Sequence, residues 1–92
     1  MLSCVGQSYP AKELRLTNNC DSALYVEWWI GEQVGSWTIQ GNDYQGTGLA
    51  VADVAKAGGV AIYVCPQKYV PVDSSGQRVK GAMASYQCVL QK

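Results

Sequence analysis

The groups with chemistry to offer in this 92-residue chain are four cysteines, seven acids, seven bases and no histidine. Without an imidazole, Ser-His-Asp and Cys-His schemes and most general-base schemes drop out. Glycoside hydrolysis needs two facing carboxylates, and Glu27 with Glu32 or Asp43 is the pairing available. Strand and turn positions like theirs ordinarily carry solvated charges. Gly46-Thr47-Gly48 hints at a phosphate loop, but it lacks a third glycine, a Walker lysine and a strand leading into it. Lys56 and Lys68 would be activated amines only if buried, and nothing in the sequence buries them. The expectation is a protein that is not an enzyme and carries no cofactor.

No C-x-x-C pair joins the cysteines, so with no histidine a metal site is not expected. Two disulfides in an oxidising compartment are the better reading, which implies a secreted or periplasmic protein. Four buried thiols in a cytoplasmic core are the alternative. Met1-Leu2-Ser3 is too short to be a signal peptide, which suggests a mature terminus with an added Met or else a cytoplasmic chain. No apolar run is long enough for a membrane-spanning helix, and no membrane partner is expected. Cys20 opens one strong strand and Cys65 closes another. If those strands are antiparallel neighbours, or face each other across a sandwich, the expected bonds are Cys20–Cys65 and Cys4–Cys88.

The remaining chemistry is adhesive. Nine aromatics, three Trp and six Tyr with no Phe, combine apolar bodies with polar handles. In residues 23–30 (ALYVEWWI), Leu24, Val26, Trp28 and Ile30 point one way, and Tyr25, Glu27 and Trp29 the other. If the first set is core, the second is an exposed Tyr-Glu-Trp row, with Tyr44 and Tyr69 as further contact candidates. Such a row would anchor a partner protein or a second copy of the chain. Alternatively, it would stack a sugar ring while Glu27 accepts hydroxyl hydrogens. A covering layer, such as residues 49–57, would instead make the row interior. Nucleic acid is not expected: the net charge is zero, and Lys12, Arg15, Arg78 and Lys80 are offset by acids.

Several short elements must position these residues. Residues 14–30 read as a β-hairpin around an Asn-Asn-Cys-Asp-Ser turn. With residues 36–40, where Trp37 and Ile39 point inward, they form a three-stranded meander over 12–40. Residues 3–11 read as an irregular arm or edge strand, since Pro10 cannot donate to a ladder. Residues 41–48 read as loop. Residues 49–57 are Ala-rich with Gly58-Gly59 as a stop, favouring a short helix over a strand. Residues 59–65 form a strand, 68–80 a small protruding hairpin around Asp73-Ser74-Ser75-Gly76, and 81–90 a last strand.

The whole, residues 1–92, reads as one all-β domain, mainly antiparallel. It is a small β-sandwich or open barrel of about six or seven strands, with one possible short helix near 49–57. The turn at 18–22 leading into an aromatic strand locally resembles small secreted β-sandwich proteins, thaumatin-like ones among them. Those proteins are much longer and richer in cysteine, so the likeness assigns no family. The functional expectation is a protein-interaction module, meaning an inhibitor, adaptor or self-associating subunit. Carbohydrate binding is the alternative.

Overall fold

A computed structural model describes residues 4–83 and 85–91. They form eight strands, β1 (Val5–Ser8), β2 (Glu13–Asn18), β3 (Leu24–Ile30), β4 (Gln33–Ile39), β5 (Tyr44–Ala50), β6 (Ala61–Pro66), β7 (Tyr69–Val72) and β8 (Gln87–Leu90), one α-helix, α1 (Val51–Lys56), and a 3-10 turn at Pro10–Lys12. Every strand pairing is antiparallel. The sheets are open, with orders β1-β2-β5, β4-β3-β6 and β7-β8. The expected all-β class with one short helix is therefore what forms, as an open sandwich.

β3 is the centre. Its period-two pattern sends Leu24, Val26, Trp28 and Ile30 into a core shared with Leu14 and Leu16 of β2, Ile39 of β4 and Val64 of β6. The helix closes this core with Val54. The β3–β4 hairpin turns through Gly31-Glu32, where Gly31 takes the positive φ that a tight turn requires. Trp28 lays its indole over Gly35 on β4, where an added Cβ would collide with the ring.

The expected hairpin of residues 14–30, and with it the meander, does not form. β2 pairs with β1 and β5, while β3 pairs with β4 and β6, so the Asn-rich turn is a crossing between two sheets. Asn18 is the reason. Its side chain is fully buried and donates to the carbonyls of Ser22 (2.8 Å), Ile39 (3.0 Å) and Gln40 (3.2 Å). Its Oδ1 accepts from the Cys20 N–H at 2.9 Å. One amide thus ties the β2–β3 connection to the end of β4, and Asn42 N–H donating to the Cys20 carbonyl reinforces the link.

Residues 44–50 form β5, where loop was expected up to 48 and the short helix from 49, because β2 supplies a pairing edge for a run that propensity alone would leave irregular. The segment 68–80 does not protrude as a hairpin. β7 pairs with β8, and only an isolated bridge joins Val72 to Arg78. The expected last strand is confined to β8, and its position 84 lies outside the described residues, as do Met1, Leu2 and Ser3.

The disulfides are Cys4–Cys20 and Cys65–Cys88, with Cα separations of 5.5 and 5.6 Å, in place of the expected Cys20–Cys65 and Cys4–Cys88. Because β1 and β2 are antiparallel neighbours, with Val5 opposite Asn18, the residues flanking them meet. Cys88 comes from a third layer folded onto β6, a layer the strand-end argument did not contain. Two disulfides indicate an oxidising environment.

Each bond closes a loop, of 16 and 23 residues in separation, worth about 3 kcal/mol in chain entropy. Replacing Cys65→Ser together with Cys88→Ser should lower stability by about that amount. It should also raise amide exchange chiefly in β7 and β8, with β1–β5 remaining protected. Hydrogen exchange with mass spectrometry reads both effects, and uniform deprotection would contradict a separately hinged third layer.

Candidate functional site

The row Tyr25, Glu27, Trp29 does share the outer face of β3, where alternation from the core residues puts it. Its setting differs from expectation: Glu27 is 3% exposed, and Tyr25 and Trp29 are half-buried. The covering layer is the C-terminal segment, with Val70, Val72 and Val79 buried, and not residues 49–57. The Tyr-Glu-Trp row is thus largely interior.

Four groups converge there. Tyr25 Oη donates to Glu27 Oε1 at 2.9 Å, and Trp29 Nε1 donates to Oε2 at 2.9 Å. Arg78 Nη2 forms a short ion pair with Oε1 and also donates to Tyr25 Oη at 3.2 Å. Residues at i and i+2 on a strand face the same way, so β3 itself positions three of the groups. The Asp73–Gly76 turn then returns the chain with Arg78 above them. Asp73 Oδ1 accepts from Ser75 N–H and Oγ and from Gln77 N–H. The Ser75 hydroxyl bond first, then the Gln77 amide, holds the Asp73 carboxyl below its usual range. Burial works against the Arg78 charge, but the bond and attraction of Glu27 outweigh it and keep the guanidinium above its ordinary value.

Tyr63 of β6 lies opposite Glu27 in the pairing and is 2% exposed. Its hydroxyl donates to the Gly81 carbonyl, and its ring meets Tyr86 edge-on with centroids 4.9 Å apart. Burial pushes the Tyr63 phenol up. A Met83 backbone bond opposes this, while the negative Glu27 and neighbouring Tyr86 add to it.

The other candidates lie elsewhere. Tyr44 is on the outward face of the first sheet, 54% exposed, with the Arg15 guanidinium 4.1 Å above its ring centre. A shallow groove of about 260 Å³ runs there between Pro10, Glu13 and Tyr44. Tyr69 sits on β7 opposite Leu90. Neither joins the β3 row.

Trp29 instead borders a cleft, about 410 Å³, with Gly31, Glu32, Lys80 and Gly81. An adjoining hollow of about 320 Å³ runs along Gly58 and Gly59. Sequence reasoning missed Arg78, Tyr63 and Tyr86 as members of the β3 layer. Only the strong Asp-Ser-Ser-Gly turn signalled that the chain would fold back there.

The remaining chemical candidates separate. Glu32 and Asp43 stand in the turns at opposite ends of β4. Thr47 is spent on backbone, donating to the Leu14 carbonyl and accepting from Leu49 N–H. Among the described residues, no three His, Cys, Asp or Glu side chains cluster as metal ligands. Nor is any described helix long and apolar enough to cross a membrane. No protein-family model, curated protein or solved structure was found to match this chain.

Two predictions follow from the geometry of this layer. Glu27→Ala strips three donors of their acceptor and should destabilise the fold by about 3 kcal/mol. Arg78→Ala should cost less than this, since the guanidinium is half in water; urea melts of the two variants give the comparison.

Tyr63 keeps its proton more tightly folded than unfolded, so its share of stability is complete below about pH 10, the unfolded value. It is lost as pH rises from there through the folded pKa. Tyr63→Phe should flatten the alkaline fall in urea midpoint measured between about pH 9 and 12. An unchanged alkaline limb would place the sensitivity in another group.

Proposed function

We propose that the chain is a non-enzymatic protein-interaction module, secreted or periplasmic, that binds an extended segment along the free edge of β4. The observation that carries the reading is the character of that edge. Its seven residues, QVGSWTI, hold no charge and no proline. They pair with β3 without a register break, from Leu24 opposite Ile39 to Ile30 opposite Gln33. Val34 is 51% exposed and Trp37 41%, although Trp37 lies on the core side of its sheet. A long, unbroken, uncharged edge offers unpaired N–H and C=O groups to another strand, and its side chains grade the affinity. Val34 lies opposite Trp29, so the half-buried end of the β3 row continues this surface.

The Trp29 cleft favours a second reading. An indole bordering a cleft with Glu32 and Lys80 is the kind of lining that receives a neutral sugar ring and reaches its hydroxyls.

Titration of the isotopically labelled protein with an uncharged strand-forming peptide, such as QVGSWTI itself, separates the two. The expected result is chemical-shift change and added amide protection along β4, weakened about tenfold or more by Trp37→Lys. Shifts confined to Trp29, Gly58 and Lys80 on adding oligosaccharides, with β4 silent to peptide, would move the function to the cleft.

A further inference from the structure

Most other edge strands carry blocking devices, and β8 is only four residues long. On β6, at the opposite margin of the second sheet from β4, the Tyr86 hydroxyl accepts from Val64 N–H at 3.1 Å and donates to the Val64 carbonyl at 3.2 Å. The Cys65–Cys88 bond pins the third layer beside it. β1 is four residues long and runs into Pro10. The pairing of β5 with β2 shifts register between Glu13 and Arg15, and Gly48 on β5 takes a positive φ. The Val79 N–H covers the β7 carbonyl at Pro71. Such bulges, short lengths, prolines and covered groups are how sheets avoid adding strands. β4 is the long edge without one.

From this contrast we infer that β4 pairs with β4 of a second copy, antiparallel about a two-fold axis at Ser36, joining two three-stranded sheets into one of six. The inference rests on the β4 reading above and names its occupant. Side chains of paired residues share a sheet face, so a two-fold perpendicular to the sheet must pass through a residue position. Centring on Ser36 engages all seven residues. Gln33 then faces Ile39, Val34 faces Thr38, and Gly35 faces Trp37. A centre at Gly35 or Trp37 leaves strand ends unpaired.

The Ser36 centre also sets aromatic against aromatic. Trp37, 41% exposed on the core side, comes opposite Gly35, which has no side chain and over which Trp28 extends its ring. Cross-strand neighbours stand about 4.5–5.5 Å apart at Cβ, so each Trp37 would reach the edge of the other copy's Trp28. Because β4 is uncharged, self-pairing brings no like charges together. Seven residues span only about 23 Å, an area below that of standard interfaces, so the dimer is weak, with Kd on the order of 10 μM or above.

Sedimentation velocity of the full chain from about 5 to about 500 μM tests this. The expected result is a monomer–dimer equilibrium insensitive to salt, as befits a neutral interface. Ser36 is exposed but stands opposite Glu27 on β3, so Ser36→Glu should cost some stability, and circular dichroism with urea melts checks that Ser36→Lys and Ser36→Glu both fold before association is read. Each alone puts like charges face to face at the axis and should weaken dimerisation about tenfold or more. Mixing the two should restore it, and this restored association alone should fall with salt.

Association unaffected by either variant would overturn the β4 dimer, and weakening without rescue on mixing would overturn the Ser36 register. A wild-type monomer at the highest concentration would also overturn the inference. If QVGSWTI still shifts β4 amides in that monomer, the strand-binding reading survives; if it does not, both fall.

Discussion

One carboxylate sets the architecture. Glu27 lies in the middle of the central strand of the central sheet, 3% exposed, where an ionised group without partners would cost far more than a domain of this size has to spare. Tyr25 and Trp29 supply two donors from the same strand, and Arg78 supplies the counter-charge. That counter-charge comes 51 residues later, so the C-terminal chain must come back over the sheet. The Cys65–Cys88 bond and the Tyr86–Val64 contacts hold it there. β3 thereby has an apolar layer on one face and a polar-aromatic layer on the other.

The sheet below is secured by a different polar device. Asn18 does at the crossover what Glu27 does at the outer face: a buried side chain whose bonding is satisfied only in one geometry. Its amide fixes where β2 stops, where β3 starts and how β4 turns into β5. Apolar packing alone would tolerate a sliding of the two sheets, whereas four hydrogen bonds from one amide do not.

How much of this could be read from the chain follows from the range of each interaction. The alternation Leu24, Val26, Trp28, Ile30 is local, and the strand and its two faces are as the pattern indicates. The short helix was legible from Ala-rich composition and the Gly58-Gly59 stop, with Gly58 and Gly59 at positive φ. The 14–30 hairpin misled because a turn made of Asn, Cys, Asp and Ser looks alike whether it joins neighbouring strands or crosses between sheets. Only the burial of Asn18 distinguishes them. β5 was hidden by its glycines, and Arg78 by a charge pattern that does not reveal distant partners. The disulfide pairing failed with the sheet assignment, since Cys4 and Cys20 meet only once β1 pairs with β2.

Trp28 and Trp29 show how far strand position overrides residue type. Neighbours in sequence, they end on opposite faces: Trp29 spends its indole N–H on Glu27, while Trp28 fills the core with an N–H that has no partner in the described structure. A buried indole of that size needs room, and the room is taken from β4, where Gly35 gives up a side chain to it. Glycine weakens a strand interior by removing packing and by adding entropy to the unfolded chain. Here it also lets a core aromatic reach the sheet margin. The edge of β4 is therefore shaped by the demands of the core behind it. The same accommodation that completes the hydrophobic core leaves an uncharged margin, with Trp37 standing beside the Trp28 ring that fills the place of a Gly35 side chain.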